Sequence, residues 1–470
     1  METDVVYFFG FFVTLIVLIG LSIYSGKKAG KKSGSFTGGG DSSAAIVAGA
    51  IIGTLVGGSS TVGTAQLAYN YGLSAWWFTL GGGIGCLIMA IWFVKPLRKK
   101  CDGTLTGLIA AEYGPKVGFA ATILSSVGIY INIIAQLIAA TAVIAIVIPG
   151  VNSFAAALIA ALLMTLYVVF GGVKGTGIVG ILKTVLLYVA AIGGGCIALK
   201  LFGGLQPVLD NPNFPHEQYL NLFARGIGKD LGAGVSLVLG VLSTQTYAQA
   251  CLSGRSDSEA RKGALISAFM IPPIGVGGIL IGMYMKENCP DLVSAKMAFP
   301  QFVMEYMPSW LGGIVIATLL IAVVGTGAGL ALGISTIISR DVVSGTLKKS
   351  LDEKKNLQLV RITIIAVLFS AALLTTGSLG DIILDFSFMS MGLRGAVLFV
   401  PLMMILFTKR KIASQYAFAS VIAGPAAVLA GNFIIDSFDP LFIGIFVSLI
   451  IMIIGYHHAN KSVNLNSKDK

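Results

Sequence analysis

Residues 44–72 read AAIVAGAIIGTLVGGSSTVGTAQLAYNYG, and the fold turns on the GGSST at 57–61. The segment is apolar and long enough to cross a bilayer, for which about 20 residues suffice. Yet each glycine costs about 1 kcal/mol relative to alanine inside a helix, and hydroxyls in hydrocarbon need partners. A plain lipid-facing helix is therefore unfavourable here. Two readings stay open. Either the small residues let neighbouring helices pack closely, or the helix is broken, with freed carbonyls and half-helix ends turned toward a solute or a cation. The stretch AVVGTGAGLALGISTIISRDVV at 322–343 again sets glycines beside hydroxyls and favours the break.

The rest of the chain belongs in lipid as well. Of its 470 residues 56% are hydrophobic and 11% charged, against about a quarter charged in ordinary globular domains; the mean hydropathy is +0.88. A window of about 19 residues finds about thirteen spans. They lie near 3–25, 42–71, 73–97, 117–149, 152–172, 177–202, 231–253, 262–286, 310–340, 357–377, 380–407, 412–431 and 439–457, and are called spans 1 to 13. The apolar runs are continuous rather than alternating, which argues against a β-barrel and predicts an all-α polytopic membrane protein. The acidic METD before span 1, with no cleavage site after it, predicts a retained helix rather than a signal peptide. Five scattered cysteines and three histidines give no support to metal or redox chemistry.

Charge placement orients the chain. With the N-terminus outside and the C-terminus inside, 25 of the 32 lysines and arginines fall at inward ends and loops. Five fall at outward ones (Lys200, Arg225, Lys229, Lys286 and Lys296), and two, Lys183 and Arg394, lie within spans. This is the positive-inside pattern, and it accounts for the net charge of +11 without nucleic acid as a partner. The expected partners are a small solute and the bilayer of a plasma membrane, in keeping with a prokaryotic cell membrane; no obligate protein partner is evident.

No linker divides the chain, so residues 1–470 read as one integral membrane domain. The longest outside connection, 203–230, has the size of a lid, and 341–356 is a charged, helical connector on the inside. Surface helices are expected at 104–113, 216–226 and 294–306. Glycine interrupts span 2 (GTLVGGSST, 53–61), span 7 (GAGVSLVLGVLSTQT, 232–246) and span 9 (GTGAGLALG, 325–333). Spans 2 and 7 stand five apart, as broken helices do in transporters built of two repeats around a midplane site.

Four stretches carry a family resemblance: VGGSSTVGTAQLAYNYGLSAWWF at 56–78, FGGVKGTG at 170–177, QTYAQACLSGRSDSEARKGALI at 245–266 and GLALGISTIISRDVV at 329–343. Together they resemble the sodium:solute symporter family, over nearly the whole chain. The resemblance implies two inverted five-helix repeats with broken first helices, at 42–202 and 231–407. Span 1 (3–25) and spans 12 and 13 (412–457) would then be peripheral. It also implies a secondary active transporter working by alternating access, with no enzyme activity and no cofactor. A channel would need a filter motif, a membrane enzyme a set of intramembrane acids, bases or nucleophiles, and neither stands out; a channel or a transporter-like sensor is the alternative.

For the coupling ion, the resemblance implies Na+ held by carbonyls of Gly53 and Val56 in span 2, and in span 9 by the Ala322 carbonyl and hydroxyls at 325 and 326. Thr326 has its hydroxyl; Gly325 has none. In span 6, where many members carry Thr-Asp and a glutamine three residues on, this chain has Val179, Gly180 and Lys183. Lys183 either snorkels to the inner interface or stands as an ammonium in the place of the sodium ion. Sodium coupling, proton coupling and sodium independence stay open.

For the solute, the positions that bind sugars in sugar-transporting members fall on Ser60, Ala75, Leu237, Gly240 and Phe388, which suit no polyol. The remaining lining is Gly57, Gly58, Ser59, Ser60, Thr61, Gln66, Trp76, Phe78 and Phe388. Arg394, near the middle of span 11, is costly in hydrocarbon unless paired. It either bonds broken-helix carbonyls or intramembrane hydroxyls, or clamps an anion through its planar fork. Asp381 and Asp385 share a face further out and read as a vestibule rim. The expectation is a small, polar, carboxylate-bearing solute.

Overall fold

The computed structural model describes residues 5–30, 40–101, 103–346, 352–375, 382–408, 411–431, 433–435 and 437–466. Asp381 lies outside them. The described chain is helical, with one isolated β-bridge between Ser42 and Gly254. Among the described residues eight helices are long and apolar enough to cross a membrane, nine when the bent pair Ile227–Ser243 and Gln245–Leu252 counts as one. Three shorter apolar helices accompany them, Val5–Val17, Ala44–Leu55 and Ser153–Val168.

Local sequence sets the boundaries. Span 2 runs as Ala44–Leu55 and, beyond a break, Ser59–Gly63 and Thr64–Tyr71. Gly72 then turns the chain at φ +51°, with room for no side chain: a Cβ there would lie 2.0 Å from the Tyr219 carbonyl oxygen. Pro115 opens span 4 (Pro115–Val147) at a position where its missing N–H costs nothing. Asn152 and Ser256 cap the helices that follow them, accepting from the amides of Ala155 and Glu259.

Several expectations are revised. Span 9 (Ser309–Ile337) passes through GTGAGLALG without a break, because its glycines serve close packing: a Cβ at Gly327 would meet the Met164 sulfur at 2.5 Å. Its last turns are wide, Ile338–Thr346. Helical backbone is assigned without a gap from Ser153 to Tyr188, across the expected loop between spans 5 and 6. It is not one straight rod. Tyr167 and Lys183 lie 3.6 and 3.8 Å from the Cβ position of Gly325, whereas a straight helix would hold their Cα atoms about 24 Å apart, too far for both side chains to meet one neighbour. The segment therefore bends between them. Only His216–Tyr219 is helical within 216–226, and Leu105–Tyr113 is packed into protein, with Leu105, Ile109 and Tyr113 buried, rather than resting on an interface.

Span 8 (Asp257–Asn288) carries Pro272 and Pro273 in its interior. Side chains of neighbouring spans bond carbonyls of this stretch: Trp76 Nε1 donates to the Pro272 carbonyl at 3.0 Å and the Tyr188 hydroxyl to that of Met270 at 2.5 Å. Trp76, expected on the solute site, is thus committed to span 8. Span 8 also crosses span 6 tightly, since a Cβ at Gly277 would stand 2.0 Å from the Ala191 carbonyl oxygen. Gly277→Ala is expected to lower stability by about 1–3 kcal/mol through overpacking. Gly193→Ala, with nothing within 4 Å, is the control. Thermal unfolding in detergent compares the two, and equal midpoints would contradict the crossing.

Candidate ion and solute site at the broken helices

The first half of span 2 ends at Leu55, and Val56 is extended at φ −89°, ψ 99°. The hydroxyls of GGSST and of Thr64 stitch the break together. Ser60 donates to the Leu55 carbonyl at 3.1 Å, Thr61 to that of Gly57 at 2.9 Å, and Thr64 to that of Ser59 at 3.2 Å. Gln136 of span 4 bridges it: its Oε1 accepts from the Gly58 amide at 2.8 Å and its Nε2 donates to Ser59 Oγ at 2.9 Å. Ser387 of span 11 (Ile383–Phe407) lies 2.6 Å from Ser59 Oγ. The glycines are tightly packed, for a Cβ at Gly57 would meet Thr326 Oγ1 at 2.5 Å and one at Gly58 the Ala139 Cβ at 2.4 Å. Break and close packing, alternatives in the sequence, coexist.

Lys183 is buried and its ammonium sits at this break. Nζ donates to the Gly53 carbonyl at 2.5 Å, the Ala322 carbonyl at 2.9 Å and Thr326 Oγ1 at 2.9 Å. Three donors meet three acceptors, which satisfies a protonated lysine in full; a neutral amine has only two N–H groups to give. None of the ion pairs among the described residues includes Lys183. The charge is held by dipoles, among them the last turn of Ala44–Leu55, where the helix end is negative. The Val56 carbonyl joins more loosely, 3.5 Å from Thr326 Oγ1. Nζ also lies 3.8 Å from where a Gly325 Cβ would stand, so it fills the side of the site left without a hydroxyl. Sodium does not fit the same oxygens while the ammonium is there.

The solute residues come together in part. Ser59, Ser60, Thr61 and Gln66 are buried around the break, and Gln66 Oε1 accepts from the Ile383 amide at 3.0 Å. Phe78 and Phe388 pack ring to ring at 5.8 Å. Gly240 faces Met391, whose Cβ and sulfur would each be 2.6 Å from an added Cβ. Arg394 is fully buried, and its fork is taken up by protein. Nε donates to the Ser390 carbonyl at 3.1 Å, Nη1 to Thr244 Oγ1 at 2.7 Å and Nη2 to Ser390 Oγ at 2.9 Å. That geometry answers to the hydroxyl-bonding alternative and leaves the anion-clamp expectation without a free fork.

Thr244 marks the second break, where span 7 bends by 48°. Below it Gln245 ties to the helix Leu105–Tyr113, accepting from the Leu105 amide at 2.8 Å and donating to the Gly103 carbonyl at 3.3 Å. Thr104 and Thr106 of the same connection donate to Asp341 at the end of span 9. Sequence reading missed this latch, and it missed Gln136, Asn132 and Ser387. The signal was available for one pair: INIIAQ places two amide side chains one helical turn apart in an apolar span, and Gln136 Nε2 indeed donates to Asn132 Oδ1 at 3.2 Å.

Buried polar groups gather at two helix breaks inside an apolar bundle, the arrangement that multi-pass membrane transporters place around a midplane site. The profile of the sodium:solute symporter family matches residues 35–424, and the chain belongs to that family. It is a cell-membrane transporter and not an enzyme. It is 22% identical over 466 residues to the sodium/pantothenate symporter of Escherichia coli, covering 94% of each chain. With the human high affinity choline transporter 1 it shares 24% over 430 residues, 85% of this chain and 72% of that one. A Bacillus subtilis protein described as an uncharacterized symporter is 29% identical over 197 residues, and that match spans 41% of this chain and only 38% of the relative. In three dimensions the chain is similar to a Na+-coupled sialic acid symporter in a substrate-bound, outward-open state, with TM-score 0.81, 17% identity and 98% of both chains covered. A manganese transporter of Eremococcus coleocola is more distant, with TM-score 0.53 and 14% identity over 90% of this chain.

Proposed function

We propose that this chain takes up a small, polar, carboxylate-bearing solute by alternating access, through thirteen spans with the N-terminus outside, and that Lys183 replaces the sodium ion of its relatives. The observation that carries the reading is the three-point seat of Lys183 Nζ on Gly53, Ala322 and Thr326. These are the positions at which the family resemblance puts an ion. A protonated lysine links span 2 to span 9 as a bound cation would; losing one proton removes one of the three contacts and loosens that link. The proton takes the coupling role in this reading, and Na+ has none.

The solute side rests on the break itself. Ser59, Ser60, Thr61, Gln66 and Gln136 gather polar side chains there, and a solute would be held by exchanging their bonds within the protein for bonds to itself. The positive end of the half-helix that starts at Ser59 favours an anionic group. Stability of the purified chain against sodium, lithium and potassium tests the coupling. A ligand bound only by the folded state raises stability with its concentration, so no sodium-specific, saturable rise is expected. A rise with sodium alone would restore the ion and overturn the lysine reading.

A further inference from the structure

Away from the breaks, a cavity of about 560 Å³ opens among the ends of spans 7 and 11 and the turn at 438–441. It lies on the face that the charge pattern assigns to the outside, and its volume falls in the range of about 300–1,000 Å³ usual for small-molecule sites. Its wall carries Arg225, Lys229, Asp385 and Asp439, with Phe388 and Phe438.

The charges on this wall are incompletely matched. Arg225 Nε reaches Asp230 at 2.7 Å and Ser74 at 3.2 Å, and Nη1 reaches Asp385 at 3.2 Å. Its Nη2 is buried and has no hydrogen-bond partner among the described residues. A charged donor left unpaired in that way is costly. Lys229 and Asp439 take part in no ion pair among the described residues. Among the described residues the Asp439 carboxylate accepts from the Leu441 amide at 2.9 Å and, weakly, from Ser236 at 3.4 Å. A lone anion in the cavity would face Asp385 and Asp439, and a lone cation would face Arg225 and Lys229. A molecule with both charges answers both walls.

We propose that this cavity is a separate outer binding site for a zwitterion, its carboxylate on Lys229 and on the Arg225 guanidinium once that side chain turns from Asp385, its ammonium on Asp439 and Asp385, and its apolar part over Phe388 and Phe438. The proposal rests on the reading of the chain as a transporter of a carboxylate-bearing solute, and names that solute's second charge. The site is placed to matter for entry. The Arg225 guanidinium lies 5.4 Å over the Phe388 ring, Phe388 packs on Phe78, and the next residue back, Ser387, bonds Ser59 at the break. A carboxylate that draws Arg225 from Asp385 unloads the aromatic wall between the cavity and the break.

The probes are 5-aminopentanoate, which carries both charges, and pentanoate and pentylammonium, which carry one each. Thermal unfolding of the purified full chain in detergent reads binding. The zwitterion is expected to stabilise saturably, with half-saturation about tenfold or more below either single-charge probe, the weight of one lost charge-assisted contact. Arg225 is left in place, because its removal would strand the buried Asp230; Lys229→Gln and Asp439→Asn are used instead. The first is expected to bring the zwitterion down to the level of pentylammonium, the second to that of pentanoate, while Ser59→Ala, which alters the break, leaves the half-saturation of the outer site where it was. Absence of a saturable shift with 5-aminopentanoate, glycine and 6-aminohexanoate overturns the site. So does binding lost in Ser59→Ala but kept in both wall variants, which would assign it to the break. Uptake of labelled 5-aminopentanoate into proteoliposomes separates the two readings: binding without uptake keeps the site and counts against transport of this solute class.

Discussion

Lys183→Ala is expected to lose stability in sodium-free buffer and to regain part of it when sodium is added, a response the native chain lacks. The substitution leaves the carbonyls of Gly53 and Ala322 and the hydroxyl of Thr326 facing each other without the cation that joins them. Buried acceptors stripped of a partner cost about 1–3 kcal/mol each, so a loss of roughly 2–5 kcal/mol in unfolding free energy is expected, partial relaxation included. Those oxygens are a hard-cation ligand set lacking one member. Adding Gly325→Ser supplies that member, and there is room for it, since the nearest atoms to a Cβ there are 3.6 Å away. The double variant is therefore expected to bind sodium about tenfold more tightly than Lys183→Ala alone, one added oxygen ligand being worth on the order of 1.4 kcal/mol. Stability against sodium concentration measures both. Potassium serves as the control cation, and the pH dependence of transport should vanish in both variants. If Lys183→Ala is as stable as the native chain, blind to sodium and still pH-dependent, the lysine does not hold the ion's place.

What could be read from the residues before any fold was known depended on whether the signal was local. GGSST is a local contradiction, polar and helix-breaking inside an apolar run, so the break at 56–58 is legible. The grouping of Lys183 with Gly53, Ala322 and Thr326 is legible through the family pattern, because a cation stands where oxygen ligands converge and one ligand position is bare. Arg394 is legible as a problem but not in its solution: Thr244, which accepts from it, lies 150 positions away. Glycines in span 9 misled for a physical reason, since a glycine that admits a neighbour and one that ends a helix look alike in sequence. Gln136 and Ser387 carry no motif, and only the fold shows that they reach the same serine.

Arg394→Lys is expected to be as damaging to turnover as Arg394→Met, although it keeps the positive charge. The guanidinium joins two elements at once, Ser390 on its own helix and Thr244 at the 48° bend of span 7. It does so with three nitrogens in a rigid plane, a geometry that a single ammonium on a flexible stem does not reproduce. The hydroxyls it binds keep other work: Thr244 still donates to the Gly240 carbonyl at 2.6 Å and Ser390 to that of Gly128 at 2.6 Å. Neither variant strands a buried hydroxyl donor, so folding should survive while the register between span 11 and the bend is lost. Hydrogen bonds to charged groups are worth about 1.5–3 kcal/mol, which converts to roughly ten- to hundredfold in the maximal rate, with KM for the transported carboxylate little changed. Initial rates of uptake into proteoliposomes across solute concentration separate this from a solute clamp. A clamp would show itself as a raised KM in Arg394→Met that Arg394→Lys largely restores, and that pattern would return Arg394 to the solute.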